Sequence, residues 1–568
     1  MQKRWIIHKH DHNAARQFAA EVGVSPLAAA LLIARGHDDA EKASRFLNPS
    51  IDHLYEPLLL KGMSEAVERI QTAIDGGEKI LVWGDYDVDG TTGTTLLRKA
   101  IKILGGESVF HIPNRFTEGY GVNVPALETA KATGVSLAIT VDCGIRSFEP
   151  LEWAAANDLD VIITDHHLSD ESRGNPPAFA VINPNQPDCP YPDKHLAGVG
   201  VAFKLAHALL RQNGKEHLVA AFMKIAAIGT VADIMQLTGE NRAIVALGLR
   251  DLRNTQNFGL KALMEVADCR SDMTSYHIGF RIAPRINAAG RMDAAKQVVE
   301  LFETESFEEA RKLALELDSR NRERQKIQQQ ITDLALLATE DLKETRFVVV
   351  AGEGWHRGVI GLAASRIAER LYRPTIVLST ENGTAHGSAR SIGSFHLLNA
   401  LECCGDLFDQ FGGHAAAAGM KIGSANIDKL RAALNSYALK MLSDDDLCPI
   451  LHIDARVSSD TLGLGLIEEL SRFEPFGAGN PKPVFTTGGL RLRSDPLVMK
   501  EKHLKLWLED NENKRFEAVW WDGVDRSKEQ TLAAGSRIEV AYTAEANVWQ
   551  GNTRLQLVVQ DLRADNHQ

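Results

Sequence analysis

The chain has 568 residues, 44% of them apolar and 24% charged, the make-up of an ordinary globular protein of about three to four domains. Collagen, low-complexity disorder and coiled-coil arrays are excluded on those figures. With 63 basic against 75 acidic residues the net charge is −12. This excludes a wholly basic nucleic-acid coat protein but not an enzyme with a local positive groove, because only the footprint need be positive.

No run of 18 uncharged apolar residues occurs, so no membrane association is expected. Met1–His12 is charged and histidine-rich, without the apolar stretch and small-residue cleavage site of a signal peptide. The cysteines, Cys143, Cys189, Cys269, Cys403, Cys404 and Cys448, show no CxxC spacing, which fits a reduced cytoplasm.

In chain order, residues 79 to 240 alternate short apolar runs with helical patterns, which indicates a parallel sheet built from βαβ units. Three runs read as strands: Lys79–Trp83, Leu137–Val141 and Asp160–Thr164. Ser306–Glu344 has no Gly or Pro and repeats apolar residues at helical spacing, so one long helix or two stacked ones are expected. Its centre is polar all round, as in a helix that bridges domains or presents a solvated face. Phe347–Ala351 and Thr375–Leu378, with a helix from Gly358 to Leu371 between them, begin a second, smaller α/β domain. From Pro449 onward five short β segments with Gly and Asp turns predict a small OB-fold-like barrel.

Each of the three strands ends in aspartate: Asp85, Asp87 and Asp89 in GDYDVDG, Asp142 in VDCG, and Asp165 with His166 and His167 in TDHH. Ligands of an open α/β sheet bind outside the carboxyl ends of its strands, so the three clusters are expected to meet. Carboxylates brought that close resist ionisation unless a cation resolves the repulsion. Mixed carboxylate and imidazole donors suit Mn²⁺ or Mg²⁺, with imidazole tilting toward Mn²⁺ or Zn²⁺. So many donors predict two ions sharing a bridging carboxylate. A calcium loop is disfavoured, because Leu96 stands where the loop's glutamate belongs. A helix cap at Asp142 and a structural turn at His166-His167 are the bland alternatives.

These three motifs resemble the DHH phosphoesterase superfamily. IPNRFTEGYG (Ile112–Gly121), GTVADIMQL (Gly229–Leu237), RIAPRINAAGR (Arg281–Arg291), GWHRGVIG (Gly354–Gly361), SARS (Ser388–Ser391) and FGGHAAAAG (Phe411–Gly419) narrow the resemblance to its RecJ family of single-strand-specific 5′→3′ exonucleases. The resemblance runs from about residue 45 to the C-terminus. It implies a metal-dependent enzyme of DNA repair and recombination that releases 5′-mononucleotides. Its metal ligands would be Asp87, Asp89, Asp142, His166 and Asp233, with Asp85 and His167 as further ligands or as orienting, phosphate-contacting groups. Asp233 enters only through the resemblance, since by itself it reads as a helix-end cap. Gln236 stands where the family often has proline.

Arg281 and Arg285 would neutralise phosphate charge near the metals or, alternatively, serve structural salt bridges. Ser388 and Arg390, two apart on a strand, would receive the 5′ end with His414 and Arg115. The Gly412-Gly413-His414 segment would open backbone amides to a ligand or else pack tightly against a helix. Residues 491 to 507 mix Arg491, Arg493, Lys500, Lys502 and Lys505 with Trp507, and Trp520, Trp521 and Trp549 follow. Basic grooves with aromatic platforms bind single strands, and barrel core is the alternative for each tryptophan.

The implied division is an N-terminal segment (1–50), a DHH domain (51–305), a connecting helix (306–345), a DHH-associated domain (346–447) and an OB-fold-like domain (448–568). The expected partners are single-stranded DNA, single-strand-binding protein and a RecQ-type helicase, with the chain a monomer. The alternative activity is a DHH phosphodiesterase for short oligonucleotides or cyclic dinucleotides. The barrel argues against it, because a small substrate needs no extended groove. A non-catalytic scaffold is disfavoured by the presence of every expected ligand.

Overall fold

The structure, a computed structural model, describes residues 3–115, 117–269, 273–292, 294–339, 345–528 and 532–565; the side chain of Trp549 lies outside the described residues. The chain forms two units. The larger comprises Asn13–Asn321 with Leu470–Lys482, and the smaller comprises Met1–His12, Arg322–Glu469 and Pro483–Gln568.

The larger unit is built on a five-stranded parallel sheet of β1 (Lys79–Gly84), β2 (Ser108–His111), β3 (Val135–Val141), β4 (Asp160–Thr164) and β5 (Ala180–Ile182), in the order β2-β1-β3-β4-β5. The sequence shows β1, β3 and β4 because inner strands of a parallel sheet are buried on both faces and read as continuous apolar runs. The edge strands β2 and β5, four and three residues long, are too short for that signature. Helix α1 (Val88–Ile103) follows β1, and α2 (Gly198–Gln212), α3 (Val219–Ala232) and α4 (Gly239–Arg250) follow the sheet. Every residue of α2 from Gly198 to Leu210 is buried. Its Lys204 is no exception, because the ammonium meets the Glu240 carboxylate at 2.6 Å inside the core.

The predicted long helix is a single one, α5 (Phe307–Leu337); residues 340–344 of the expected span lie outside the described residues. Its polar centre is not uniformly solvated. Asp318 and Asn321 are 3% exposed, and Arg285 grips Asp318 at 2.9 Å through Nε and Nη2.

In the smaller unit, β6 (Val348–Glu353), β7 (Thr375–Glu381), β8 (Thr384–Arg390), β9 (Phe408–Gly413) and β10 (Ala417–Gly423) form a sheet in the order β9-β10-β8-β7-β6, with α6 (Arg357–Leu371) between β6 and β7. Gly412 and Gly413 therefore lie on a hairpin strand. Downstream, β11 (Ala455–Arg456), β12 (Phe485–Leu492), β13 (Leu497–Met499), β14 (His503–Glu509), β15 (Arg515–Trp520), β16 (Arg537–Trp549) and β17 (Asn552–Ala564) make one sheet. Its order is β11-β12-β16-β17-β15-β14-β13, and a further β12–β14 pairing closes it. The closed ring of β12, β16, β17, β15 and β14 is the five-stranded barrel expected of an OB-like fold. Near the N-terminus, Arg4–Ile7 pairs in parallel with Ile450–Ile453.

Among the described residues, no single helix is long and apolar enough to cross a membrane. The six cysteines are free thiols.

Candidate metal centre

The carboxyl ends of β1, β3 and β4 deliver their motifs to one place. After β1, Asp87 caps α1, its Oδ1 accepting from Gly90 N at 3.0 Å. Asp89, in the first turn, is 1% exposed. Its Oδ2 and Oδ1 accept from Gly198 N at 2.6 Å and Val199 N at 2.7 Å, the free amides at the start of α2. After β3, Asp142 takes a left-handed backbone, φ 63°, a strained conformation for a residue with a Cβ. Gly198 makes the approach of α2 possible: a Cβ there would lie 2.5 Å from the Asp142 Cβ. After α3, Asp233 sits at the helix C-cap.

His166 stands at the centre. Its Nε2 lies 3.1 Å from Asp142 Oδ1, 3.7 Å from Asp233 Oδ2 and 3.9 Å from Asp89 Oδ2. The Leu196 backbone favours the charged ring as a hydrogen-bond acceptor, and Nε2 is the atom aimed into the carboxylates. His166 Nε2, Asp142 Oδ1 and Asp85 Oδ1 are buried without a hydrogen-bond partner. Buried polar atoms left without a partner cost about 1–3 kcal/mol each, and a cation among them removes that cost.

Three overlapping groups place their donor atoms within 4.8 Å of one another: Asp85, Asp87 and Asp142; Asp89, His166 and Asp233; and Asp142, His166 and His167. Asp142 belongs to two of them. Oxygen and imidazole donors of this kind suit Mn²⁺ or Mg²⁺, so the residues present fit such ions.

Electrostatics agree. Burial, then the charge of Asp87, pushes Asp85 up to about 8. Burial and Asp87 likewise push Asp233 up to about 7. Asp89 and Asp142 are raised by burial and by neighbouring carboxylates. Burial, reinforced by the charge of His167, lowers His166 to about 4, so its ring is neutral at pH 7, as a metal ligand must be.

Asp165 plays another part. Its Oδ1 accepts from His166 N, His167 N and His167 Nδ1 at 2.7, 3.0 and 2.8 Å, and its Oδ2 accepts from Ile145 N at 3.0 Å. Burial works against its charge, but these bonds hold its carboxyl below the usual range. The same contact outweighs the burial of His167 and raises that ring. Asn185 and Asn183 hold the carbonyls of His166 and His167 at 2.7 and 2.9 Å. Neither asparagine, nor the Leu196 carbonyl, carries a sequence signal. They follow β5, whose shortness hides that turn.

Of the expected phosphate cations, Arg115 is exposed, lies over the Tyr86 ring at 4.6 Å and bears electrostatically on Asp85. Arg281 donates to the Asp268 carbonyl at 2.9 Å. Arg285 is committed to Asp318 and the Arg281 carbonyl, the salt-bridging alternative.

Ser388, Arg390 and His414 belong to the smaller unit. Arg390 Nη1 donates to Ser388 Oγ at 3.0 Å on β8, and Gly361 of α6 faces both side chains. His414 is exposed in the β9–β10 turn, which Ser391 N ties to the end of β8 through the Ala416 carbonyl at 2.9 Å.

In the barrel, Leu504, Leu506 and Leu508 are buried, while His503, Lys505 and Trp507 alternate with them on the outer face. Lys505 Nζ lies 5.4 Å from the Trp507 ring. Trp520 is fully buried and is core, whereas Trp521 is half exposed beside His503. The expected basic groove needs correction at three residues. Arg491 and Arg493 pair with Glu509 at 2.8 and 3.2 Å, and Lys505 pairs with Glu517 at 2.9 Å. Lys500 and Lys502 are exposed.

Family models match along the chain: the DHH family N-terminal domain over residues 79–230, the DHHA1 domain over 344–440 and the RecJ OB domain over 453–561. The single-stranded-DNA-specific exonuclease RecJ of Bacillus subtilis (strain 168) is 39% identical over 565 residues, spanning 98% of this chain and 70% of that protein. The chain belongs to the RecJ family. The crystal structure of Thermus thermophilus RecJ in complex with Mn²⁺ superposes with a TM-score of 0.84 at 30% identity, covering 99% of this chain and 80% of that one. The same protein in complex with Mg²⁺ gives 0.79 at 29% identity, covering 99% and 79%.

Proposed function

We propose that this chain is a metal-dependent 5′→3′ exonuclease that degrades single-stranded DNA to 5′-mononucleotides in repair and recombination. The observation that carries the reading is the set of three donor groups, in which Asp142 and His166 are each shared by two. In this reading Asp87, Asp89, Asp142, His166 and Asp233 hold two divalent ions, with Asp85 closing the set. Such ions, about 3.5–4 Å apart, supply an activated water and neutralise the leaving oxygen of an in-line displacement.

The chain's own groups do the rest. Asp89 is pinned by the amides of α2, so its position does not depend on the ions. His167, held at Nδ1 by Asp165, would give the proton of its other ring nitrogen to the departing sugar oxygen, while the attacking water gives up its own to solvent. Arg115 and Arg281 offer guanidinium forks along the phosphate chain, while Arg285 braces the helices. Ser388, Arg390 and His414 receive the 5′-terminal phosphate. Trp507 stacks a base on the outer barrel face.

The division at 1–50, 51–305, 306–345, 346–447 and 448–568 is part of the same reading, supported by the three matched ranges. So are a cytoplasmic monomer and, as partners, single-strand-binding protein and a RecQ-type helicase.

The test is digestion of 5′- and 3′-labelled oligonucleotides, single- and double-stranded, with Mn²⁺, Mg²⁺ or chelator. Expected is metal-dependent release of 5′-labelled mononucleotide from single strands. Digestion in chelator, or from the 3′ end, overturns the reading. Cleavage confined to cyclic dinucleotides or very short oligonucleotides would favour the phosphodiesterase alternative.

A further inference from the structure

Three consecutive polar residues open α4, and all are buried: Glu240, Asn241 and Arg242 are 0%, 0% and 3% exposed. Buried polar side chains persist where each donor finds a partner. Glu240 takes Lys204, the Tyr191 hydroxyl and Tyr55 N, none of them a proposed ligand. Arg242 binds the backbone carbonyls of Phe46, Phe473 and Glu474. Asn241 differs, because both of its contacts lead to the proposed ligands.

Asn241 Nδ2 donates to the His195 carbonyl and, at 3.1 Å, to the Gln236 carbonyl. His195 precedes Leu196, whose backbone bears on the His166 ring as a hydrogen-bond acceptor. Gln236 lies three residues after Asp233, in the loop that leaves α3. One amide thus ties together the loop that aims His166 and the loop that carries Asp233. Their donor atoms, His166 Nε2 and Asp233 Oδ2, stand 3.7 Å apart.

The anchor is fixed at its own end as well. Asp193 Oδ2 accepts from Glu240 N at 2.9 Å and its Oδ1 from His195 N at 2.9 Å, which locks the His195 loop to the start of α4. The Asp233 loop has a second tie, Leu237 N to the Ala478 carbonyl at 2.7 Å. With two carbonyls to satisfy, the amide of Asn241 has only one useful orientation. Its Oδ1 is left buried without a partner, a cost that the double donation must offset.

We infer that Asn241 is a positioning residue, whose side-chain amide sets the separation of His166 and Asp233 and thereby the affinity of the centre for its metal. This rests on the metal-centre reading above. Groups that orient metal ligands typically change affinity by about 10–100-fold when lost.

The test is Mn²⁺ titration, followed by electron paramagnetic resonance, of the full chain as wild type, Asn241→Leu, Asn241→Ser and Leu263→Ala. Leu263 is fully buried on the helix Phe258–Val266 of the same unit, which carries no proposed ligand and none of the partners of Asn241, so its truncation reports general destabilisation. Asn241→Leu keeps the side chain's heavy-atom count and branch point and removes both N–H donors. Asn241→Ser keeps one donor and guards against a misfolded leucine variant. Expected is a loss of Mn²⁺ affinity of about 10–100-fold for Asn241→Leu, a smaller loss for Asn241→Ser, and near wild-type affinity for Leu263→Ala at a comparable fall in melting temperature. In single-strand digestion, excess Mn²⁺ should restore the rate of Asn241→Leu while KM for DNA stays unchanged. Equal affinity in Asn241→Leu and Leu263→Ala overturns the positioning claim alone. A wild-type chain whose Mn²⁺ signal is indifferent to His166→Ala overturns the metal-centre reading and this inference with it.

Discussion

Asp89 is the residue on which the centre's chemistry and its fold meet. From sequence, a carboxylate at a strand end supports metal rather than core, so Asp89→Ala is expected to abolish hydrolysis and spare the fold. The structure changes half of that expectation. Both oxygens satisfy buried amides of α2, and each amide left without an acceptor costs about 1–3 kcal/mol. Asp89→Ala should therefore eliminate digestion and also lower the melting temperature in chelator, where no metal contribution remains. A melting temperature equal to wild type would show that the α2 amides find other acceptors.

The raised carboxylates make a second prediction at this scale. Asp85 and Asp233 are pushed by burial and by Asp87 from 3.8 to about 8 and about 7. A carboxyl with a raised folded pKa holds its proton more tightly in the fold than in the unfolded chain. Without metal, stability is therefore greatest below pH 4 as far as these groups are concerned and falls as pH rises toward 8. Mn²⁺ affinity runs the other way and grows over the same window, because ligands must lose their protons. Melts at pH 5.5 and pH 8, with chelator and with Mn²⁺, check this. Chelated protein that is more stable at pH 8 would contradict it.

At the scale of elements, the close approach of α2 to β3 carries the geometry. Gly198→Ala would place a Cβ 2.5 Å from the Asp142 Cβ and must push that carboxylate or the helix start aside. We expect loss of digestion by about tenfold or more, with DNA affinity retained, in line with losses on disturbing groups that orient ligands; unchanged kcat would mean that the loop absorbs the methyl group. Asp142→Ala and His166→Ala should be non-additive, since residues of one cluster lose nearly everything on the first deletion. A double mutant whose rate is the product of two modest losses would separate their sites.

Much of this arrangement is legible in the sequence, because inner parallel strands are apolar runs that stop abruptly at aspartate. Asp233 is not legible in that way. It closes a helix of alanines and isoleucine and looks like a cap, and only its motif gives it away. The Leu196 carbonyl and the α2 amides are backbone groups, which no residue type announces. Asn241 looks like an ordinary polar residue until His195, distant in sequence, is in place.

Over the whole molecule, the C-terminal half returns to the larger unit. Leu470–Lys482 belongs to that unit. Its Phe473 and Glu474 carbonyls hold Arg242, and its Ala478 carbonyl holds Leu237 beyond Asp233. A chain ending near residue 448 would thus lose more than a barrel. Stripping partners from a buried charge costs roughly 3–5 kcal/mol. A chain ending after Lys482 should keep the larger unit's melting temperature, whereas one ending at 448 should melt several degrees lower, and equal melts would make the segment dispensable. Both truncations should weaken binding to long single strands. The change in salt slope should be small, because Arg491, Arg493 and Lys505 are already paired within the barrel.

The proposed centre is a single one, with two ions shared through Asp142. Its most direct measurement is the Mn²⁺ stoichiometry of the full chain and of Asp142→Asn, by equilibrium binding with electron paramagnetic resonance on the same samples. Expected are two Mn²⁺ per wild-type chain with a spin-coupled signal, and loss of the coupling together with single-strand digestion in Asp142→Asn. One isolated Mn²⁺ in the wild type, or an Asp142→Asn protein that keeps both the coupled signal and its activity, would contradict it.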